Sequence, residues 1–255
     1  MNTSLSTLIA EGIHPLKIAN RTPVTGDEIL TLGIPEFKNL HATHCTQMPA
    51  VDIATYPWVS TNLLKNKCSG LTDGANGGPI VNKASNELTN ILVASTHNGR
   101  FNDRCLEKSP CELVGNSSIW SPDTHYTRSV TFLNQCFING LFTTIDPECE
   151  LYKLTSVVLG EVQLPSPRIL EISPVGKDSP PDIYDIALTV EAPYFRYKYT
   201  HDAKSCRDGT DYSQAWPSTH SPIRWELDKN IGMHMLCILS VDSPSARSTP
   251  AILKY

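Results

Sequence analysis

Apolar residues fall in short bursts along this chain, separated by turn-forming residues. Ile29 to Ile34, Ile80 to Asn82 and Asn90 to Ser95 alternate or run apolar between Gly, Pro and Asn punctuation, which is the pattern of short strands. Further along, Asp185 to Val190, Phe195 to Thr200, Ile223 to Leu227 and His234 to Val241 behave the same way, and Ala251 to Lys254 adds a fifth such segment. Helical spacing is predicted in one place: Tyr126, Val130, Leu133 and Phe137 fall near i, i+4, i+7 and i+11, giving a helix over Tyr126 to Phe137. The fold class expected is therefore all-β. Between Pro147 and Pro167 the texture changes, and Leu164-Pro165-Ser166-Pro167 cannot continue a central strand. A boundary near Val162 divides the chain into residues 1–162 and 163–255, the latter with the strand spacing of an immunoglobulin-like or fibronectin-like sandwich.

Composition narrows the partners. A 40% apolar content over 255 residues is enough for packed cores. A net charge of -5, with no Lys/Arg run longer than two, argues against nucleic acid or an anionic membrane surface and favours a peptide or protein ligand. No apolar stretch approaches the roughly 18–20 residues of a spanning helix, so no membrane insertion is expected. No calcium-loop spacing links the aspartates, and no metal or other cofactor is expected.

Eight cysteines lack CxxC spacing, so disulfides are expected rather than a metal or redox site. The sequence-local pairs are Cys45 with Cys68, Cys105 with Cys111, Cys136 with Cys149 and Cys206 with Cys237; buried free thiols are the alternative. Disulfides imply a secreted, periplasmic or cell-surface protein. Met1 to Leu8 does not resemble a secretion signal, so the true N-terminus is expected upstream. Sequons at Asn2, Asn20 and Asn116 are no more than chance provides at this length.

The most chemical stretch is Gly70-Leu71-Thr72-Asp73-Gly74-Ala75-Asn76-Gly77-Gly78-Pro79. It resembles the Gly-x-Ser-Gly-Gly-Pro loop of trypsin-like (chymotrypsin-fold) serine proteases, with Asn76 where the nucleophilic serine would stand. An amide nitrogen is delocalised and no base can make it a nucleophile. Flanking pieces occur in the order that the family shows. Ile13 to Ala19 and Pro23 to Pro35 resemble the inter-barrel segment and first strand of the C-terminal barrel. Ile91 to Ser95 resembles the strand that holds substrate backbone, and Tyr126 to Leu133 resembles the start of the closing helix.

Over residues 12 to about 140 the resemblance implies the second barrel of a double-barrel protease. It implies an oxyanion-hole-like backbone at Gly74 and Asn76, and substrate-binding-like positions at Gly70, Ser95 and His97. Gly70 takes the place of the residue at the base of the side-chain pocket, so no preference for Lys or Arg is implied. The triad histidine and aspartate belong to the first barrel, which this chain does not contain. His44 and Asp52 mimic their motifs, but they follow the inter-barrel segment and only seven residues separate them. No catalytic residue is therefore expected. Trp216 and Trp225 are read as core aromatics before sugar-binding ones. Three readings follow: a non-catalytic protease homologue acting as a binding or accessory module, a fragment of a secreted endopeptidase whose first barrel lies upstream, and a structural surface module; an upstream barrel or a partner chain is the expected companion. A hydroxyl or thiol other than residue 76 seated against an imidazole beside the loop would overturn the first.

Overall fold

The computed structural model describes residues 5–34, 39–71, 75–106, 108–138, 141–144, 149, 151, 153–160, 182–219, 222–227, 233–242 and 248–254. Gly74 and the Leu164 to Pro167 passage lie outside them. The strands run in chain order as β1 Glu28–Gly33, β2 His41–Thr46, β3 Met48–Thr55, β4 Trp58–Asn66, β5 Pro79–Asn82, β6 Glu87–Ser95, β7 Cys111–Val114, β8 Ser117–Trp120, β9 His125–Ser129, β10 Phe137–Ile138 and β11 Leu141–Phe142. They continue as β12 Lys153–Leu154, β13 Val157–Leu159, β14 Asp182–Ile186, β15 Leu188–Val190, β16 Tyr194–Thr200, β17 Trp216–Pro217, β18 Ile223–Leu227, β19 Met235–Val241, β20 Ser248–Thr249 and β21 Ala251–Lys254. The protein is all-β, with one short α-helix, Leu5–Ala10, among the described residues.

The chain forms two compact units, each assembled from separated pieces of sequence. The first comprises Met1–Ala50, Leu63–Asn98 and Asp123–Leu151. Its strands pair antiparallel in the order β2, β1, β5, β6, β9, β4. β3 continues β2 after the single residue Gln47 and pairs with β4, so the path returns on itself. Gln47 locks that junction: its buried amide donates to the Met48 carbonyl at 2.8 Å and to the Lys65 carbonyl on β4 at 2.9 Å. Alternation drives the strands inward, as on β1, where Ile29 and Thr31 are buried. Ile29, Cys68, Leu71, Ala75, Ile80 and Leu92 form the core.

The second unit comprises Val51–Asn62, Gly99–Pro122 and Tyr152–Tyr255. Strand β19 lies between β16 and β21, and β14 pairs with β18. β18 alternates buried and exposed positions, sending Ile223, Trp225 and Leu227 into a cluster with Phe195, Leu236 and Leu253. Trp225 is a core residue, stacked on Tyr199 with ring centroids 6.3 Å apart.

All four expected disulfides form: Cys45–Cys68, Cys105–Cys111, Cys136–Cys149 and Cys206–Cys237. Such a set belongs to an oxidising environment. The helix expected over Tyr126 to Phe137 does not form. Tyr126 to Ser129 lie in β9, Thr131–Cys136 make a 3-10 turn, and Phe137 begins β10. The helical spacing there is coincidental, because β9 gains ladder partners on both sides, from β4 and β6, which a surface helix would forgo.

Candidate functional site

The glycine loop is bound to β6. Gly77 donates its N–H to the Leu92 carbonyl at 2.8 Å, and Leu92 returns a bond to the Gly78 carbonyl at 2.9 Å. Gly77 has φ +84°, a left-handed conformation that glycine adopts without strain. At Gly78 the constraint is space: an added Cβ would stand 2.4 Å from the Leu32 carbonyl oxygen and 2.8 Å from that of Ala75. Ala75 is buried, whereas Asn76 is exposed, and no hydrogen bond involves Asn76 among the described residues. The loop therefore presents residue 76 to solvent on a fixed backbone. The last residue of β6 opposed by β5 is Ile91, facing Pro79, and the loop covers Leu92. Beyond it, Ala94 and Ser95 pair only with β9 among the described residues, so that short piece of β6 keeps one open edge there.

Ser95 and His97 are drawn together with two residues that the sequence reading missed, Asp123 and His125. Ser95 on β6 faces His125 on β9. Their side chains meet, Ser95 Oγ lying 2.9 Å from His125 Nδ1, and Ser95 Oγ also accepts the His97 backbone N–H at 2.9 Å. On the far side of the ring, Nε2 lies 3.0 Å from the Cys68 carbonyl. A carbonyl only accepts, so Nε2 carries the proton, Nδ1 is the acceptor and the Ser95 hydroxyl is the donor. His97 Nδ1 meets Asp123 Oδ1 at 3.2 Å, and the two imidazoles stand 6.5 Å apart. Gly70 is exposed with φ +77°, two residues beyond the carbonyl that holds His125. A strand reading of Thr124 to Ser129 would have exposed His125 as a cross-strand neighbour; the helical reading hid it.

His125 is buried, and burial is the main cause lowering its pKa; the Cys68 carbonyl opposes this, the neighbouring His97 adds to it and Asp123 opposes it. The unfolded chain takes up a proton near pH 6.5 and the folded chain resists it, so this contribution is complete above about pH 6.5 and is lost as pH falls. Chemical denaturation at pH 7.5 and pH 5.5 is expected to show lower stability at the acid pH, and His125→Gln is expected to flatten that difference. An equal slope in the variant would place its cause elsewhere.

His44 and Asp52 engage separate partners. His44 is exposed on β2 opposite Leu30. Asp52 accepts the Asn62 N–H at 2.7 Å and a bond from Arg207 at 3.4 Å.

No family model matches the chain, and no curated protein matches it. Among solved structures, it is similar to two crystal structures of Rv3671c from Mycobacterium tuberculosis H37Rv, a protease in its inactive form, one of them a serine-to-alanine mutant. In both, identity is 15% and the TM-score 0.33 over 46% of this chain. The matches span 49% and 50% of those chains, so this chain corresponds to about half their length.

Removing the Ser95 hydroxyl tests the cluster directly. Ser95→Ala leaves Nδ1 of a buried imidazole without its donor, which is expected to cost about 1–3 kcal/mol. Nitrogen-15 shifts of the His125 ring, which report the tautomer, are expected to move with it. A stability loss without any change in those shifts would mean that the contact does not exist in solution.

Proposed function

We propose that this chain is a trypsin-like protease homologue without a nucleophile at residue 76, acting as a peptide- or protein-binding or accessory module outside the reducing cytosol. The observation that carries this reading is the Ala75 to Gly78 loop, held on β6 in a form that only glycine permits at Gly78, with exposed Asn76 at its tip. The antiparallel six-strand path around the first unit fits a protease barrel, and the open edge at Ala94 and Ser95 suits an extended peptide added as a strand. Strands β14 to β21 are read as the sandwich module.

The Ser95–His125 contact bears on this most directly, because a hydroxyl against an imidazole is how serine hydrolases attack. Its charge balance favours a strut. Burial lowers the basicity of His125, the group behind the ring is a neutral carbonyl, and the Asp123 carboxylate faces His97 instead. A base that must become imidazolium as the serine attacks has no carboxylate hydrogen-bonded to it there, since Asp123 acts on it only from its place on His97.

The deciding experiment uses the purified chain with a fluorogenic peptide library. No turnover at this site is expected, and a peptide selected for binding is expected to lose at least tenfold in affinity when Val93→Asp places a charge beside the open edge. Turnover abolished by Asn76→Ala or by Ser95→Ala would overturn the reading.

A further inference from the structure

Lys254 is a half-buried cation with no carboxylate partner among the described residues. Its position is fixed by the strand: its N–H donates to the Pro57 carbonyl at 2.7 Å, and on β19 it faces Met235, which is 1% exposed. Strand alternation puts its side chain on the face of Ile252, which packs with Ala54, Val59, Met233 and Met235, bordered by Leu113. The lysine stem thus lies over apolar side chains and its nitrogen ends in a hydrogen bond with Ser118 Oγ. Burial alone lowers the pKa of Lys254, which brings the free amine closer to neutral pH.

Ser118 is half-buried on β8, opposite Leu113 on β7. Among the described residues β8 pairs with β7 and with no other strand, so its outer edge is open there. The hairpin turns on Gly115 and Asn116, making Val114 and Ser117 the hydrogen-bonded closing pair. By the alternation of an antiparallel ladder, the next pair turns its amides outward, so the Ser118 N–H points to the open edge. A hydroxyl, a desolvated amine on it and an outward amide beside it are brought together from residues 136 positions apart.

We propose that Ser118 and Lys254 form a serine–lysine acyl-transfer site, with Ser118 as nucleophile and Lys254 as its general base, acting on acyl substrates laid along the open edge of β8. The site is independent of the Asn76 loop. In the first half-reaction the neutral Nζ takes the hydroxyl proton while Oγ bonds to the ester carbonyl carbon. The bond to the leaving oxygen then breaks, and the ammonium returns its proton to the departing alkoxide. In the second half water attacks the acyl-serine and Lys254 takes its proton; the bond between Oγ and the acyl carbon then breaks, the ammonium returns the proton to Ser118 Oγ and the acid departs. The Ser118 N–H supplies one hydrogen bond to the oxyanion in both halves.

The test treats the full chain with a fluorophosphonate, which phosphonylates activated serines with loss of fluoride, and maps the adduct by peptide mass spectrometry. The adduct is expected on Ser118. Hydrolysis of p-nitrophenyl acetate is expected to fall at least tenfold in Ser118→Ala and in Lys254→Met, and not to be restored by Lys254→Arg, whose guanidinium stays charged. Mapping on the unaltered protein does not depend on any variant folding. Absence of an adduct on Ser118 of the folded chain, or p-nitrophenyl acetate hydrolysis unchanged in a folded Ser118→Ala protein, would overturn the proposal.

Discussion

Gly78→Ala is expected to destabilise the first unit by about 3 kcal/mol or more, the upper range for overpacking. The new methyl would sit 2.4 Å from the Leu32 carbonyl oxygen and 2.8 Å from that of Ala75, and neither can yield cheaply. Leu32 lies in β1, paired with Ala42 on β2, and Ala75 is pressed against Gly33, whose own Cβ would stand 3.0 Å from the alanine methyl. Movement at Gly78 would therefore propagate into the strand that carries Ile29. Gly77→Ala provides the internal comparison. No atom lies within 4 Å of a Cβ there, so its cost is limited to placing alanine at φ +84°, about 1–2 kcal/mol. Urea denaturation of both variants checks the difference. Equal midpoints would mean that the loop is not held against β1 as described.

What the sequence disclosed was local. The disulfides close spans of 23, 6, 13 and 31 residues, short enough for nearest-neighbour pairing to find them. Strands such as Glu28–Gly33 and Ile223–Leu227 declare themselves by alternation and flanking turns. The glycine loop was visible because Gly77 meets a local backbone need, φ +84°, although the Leu32 carbonyl that requires glycine at Gly78 lies 46 residues away in sequence. The Ser95 cluster was not local. Ser95 meets His125 across 30 residues and His125 meets the Cys68 carbonyl across 57, both through the register of β4, β6 and β9. Reading Tyr126 to Phe137 as a helix removed the strand that sets that register. A longer separation, 136 residues, hid Lys254 from Ser118. Ser95 and His97 were singled out from the resemblance, but their partners required coordinates.

Replacing both Cys45 and Cys68 by alanine is expected to cost about 3 kcal/mol from the relaxed 23-residue loop in the unfolded chain, with further loss because Cys68 belongs to the core of the first unit. The consequence for the site is specific. The Cys68 carbonyl fixes the tautomer of His125, and Cys68 is positioned by the bond to Cys45 and by its own N–H, which donates to Asn66 Oδ1 at 3.2 Å. Releasing the disulfide removes the covalent restraint on that carbonyl and leaves it to core packing and the Asn66 contact. The His125 ring is then expected to exchange between tautomers, broadening its nitrogen-15 signals, and peptide affinity at the open edge of β6 is expected to weaken, since Ser95 loses a fixed acceptor. Removing Cys206 and Cys237, which belong to the second unit, gives the contrast: a stability loss of similar size with His125 unchanged. If both double variants disturbed His125 equally, its order would depend on global stability and not on the Cys68 carbonyl.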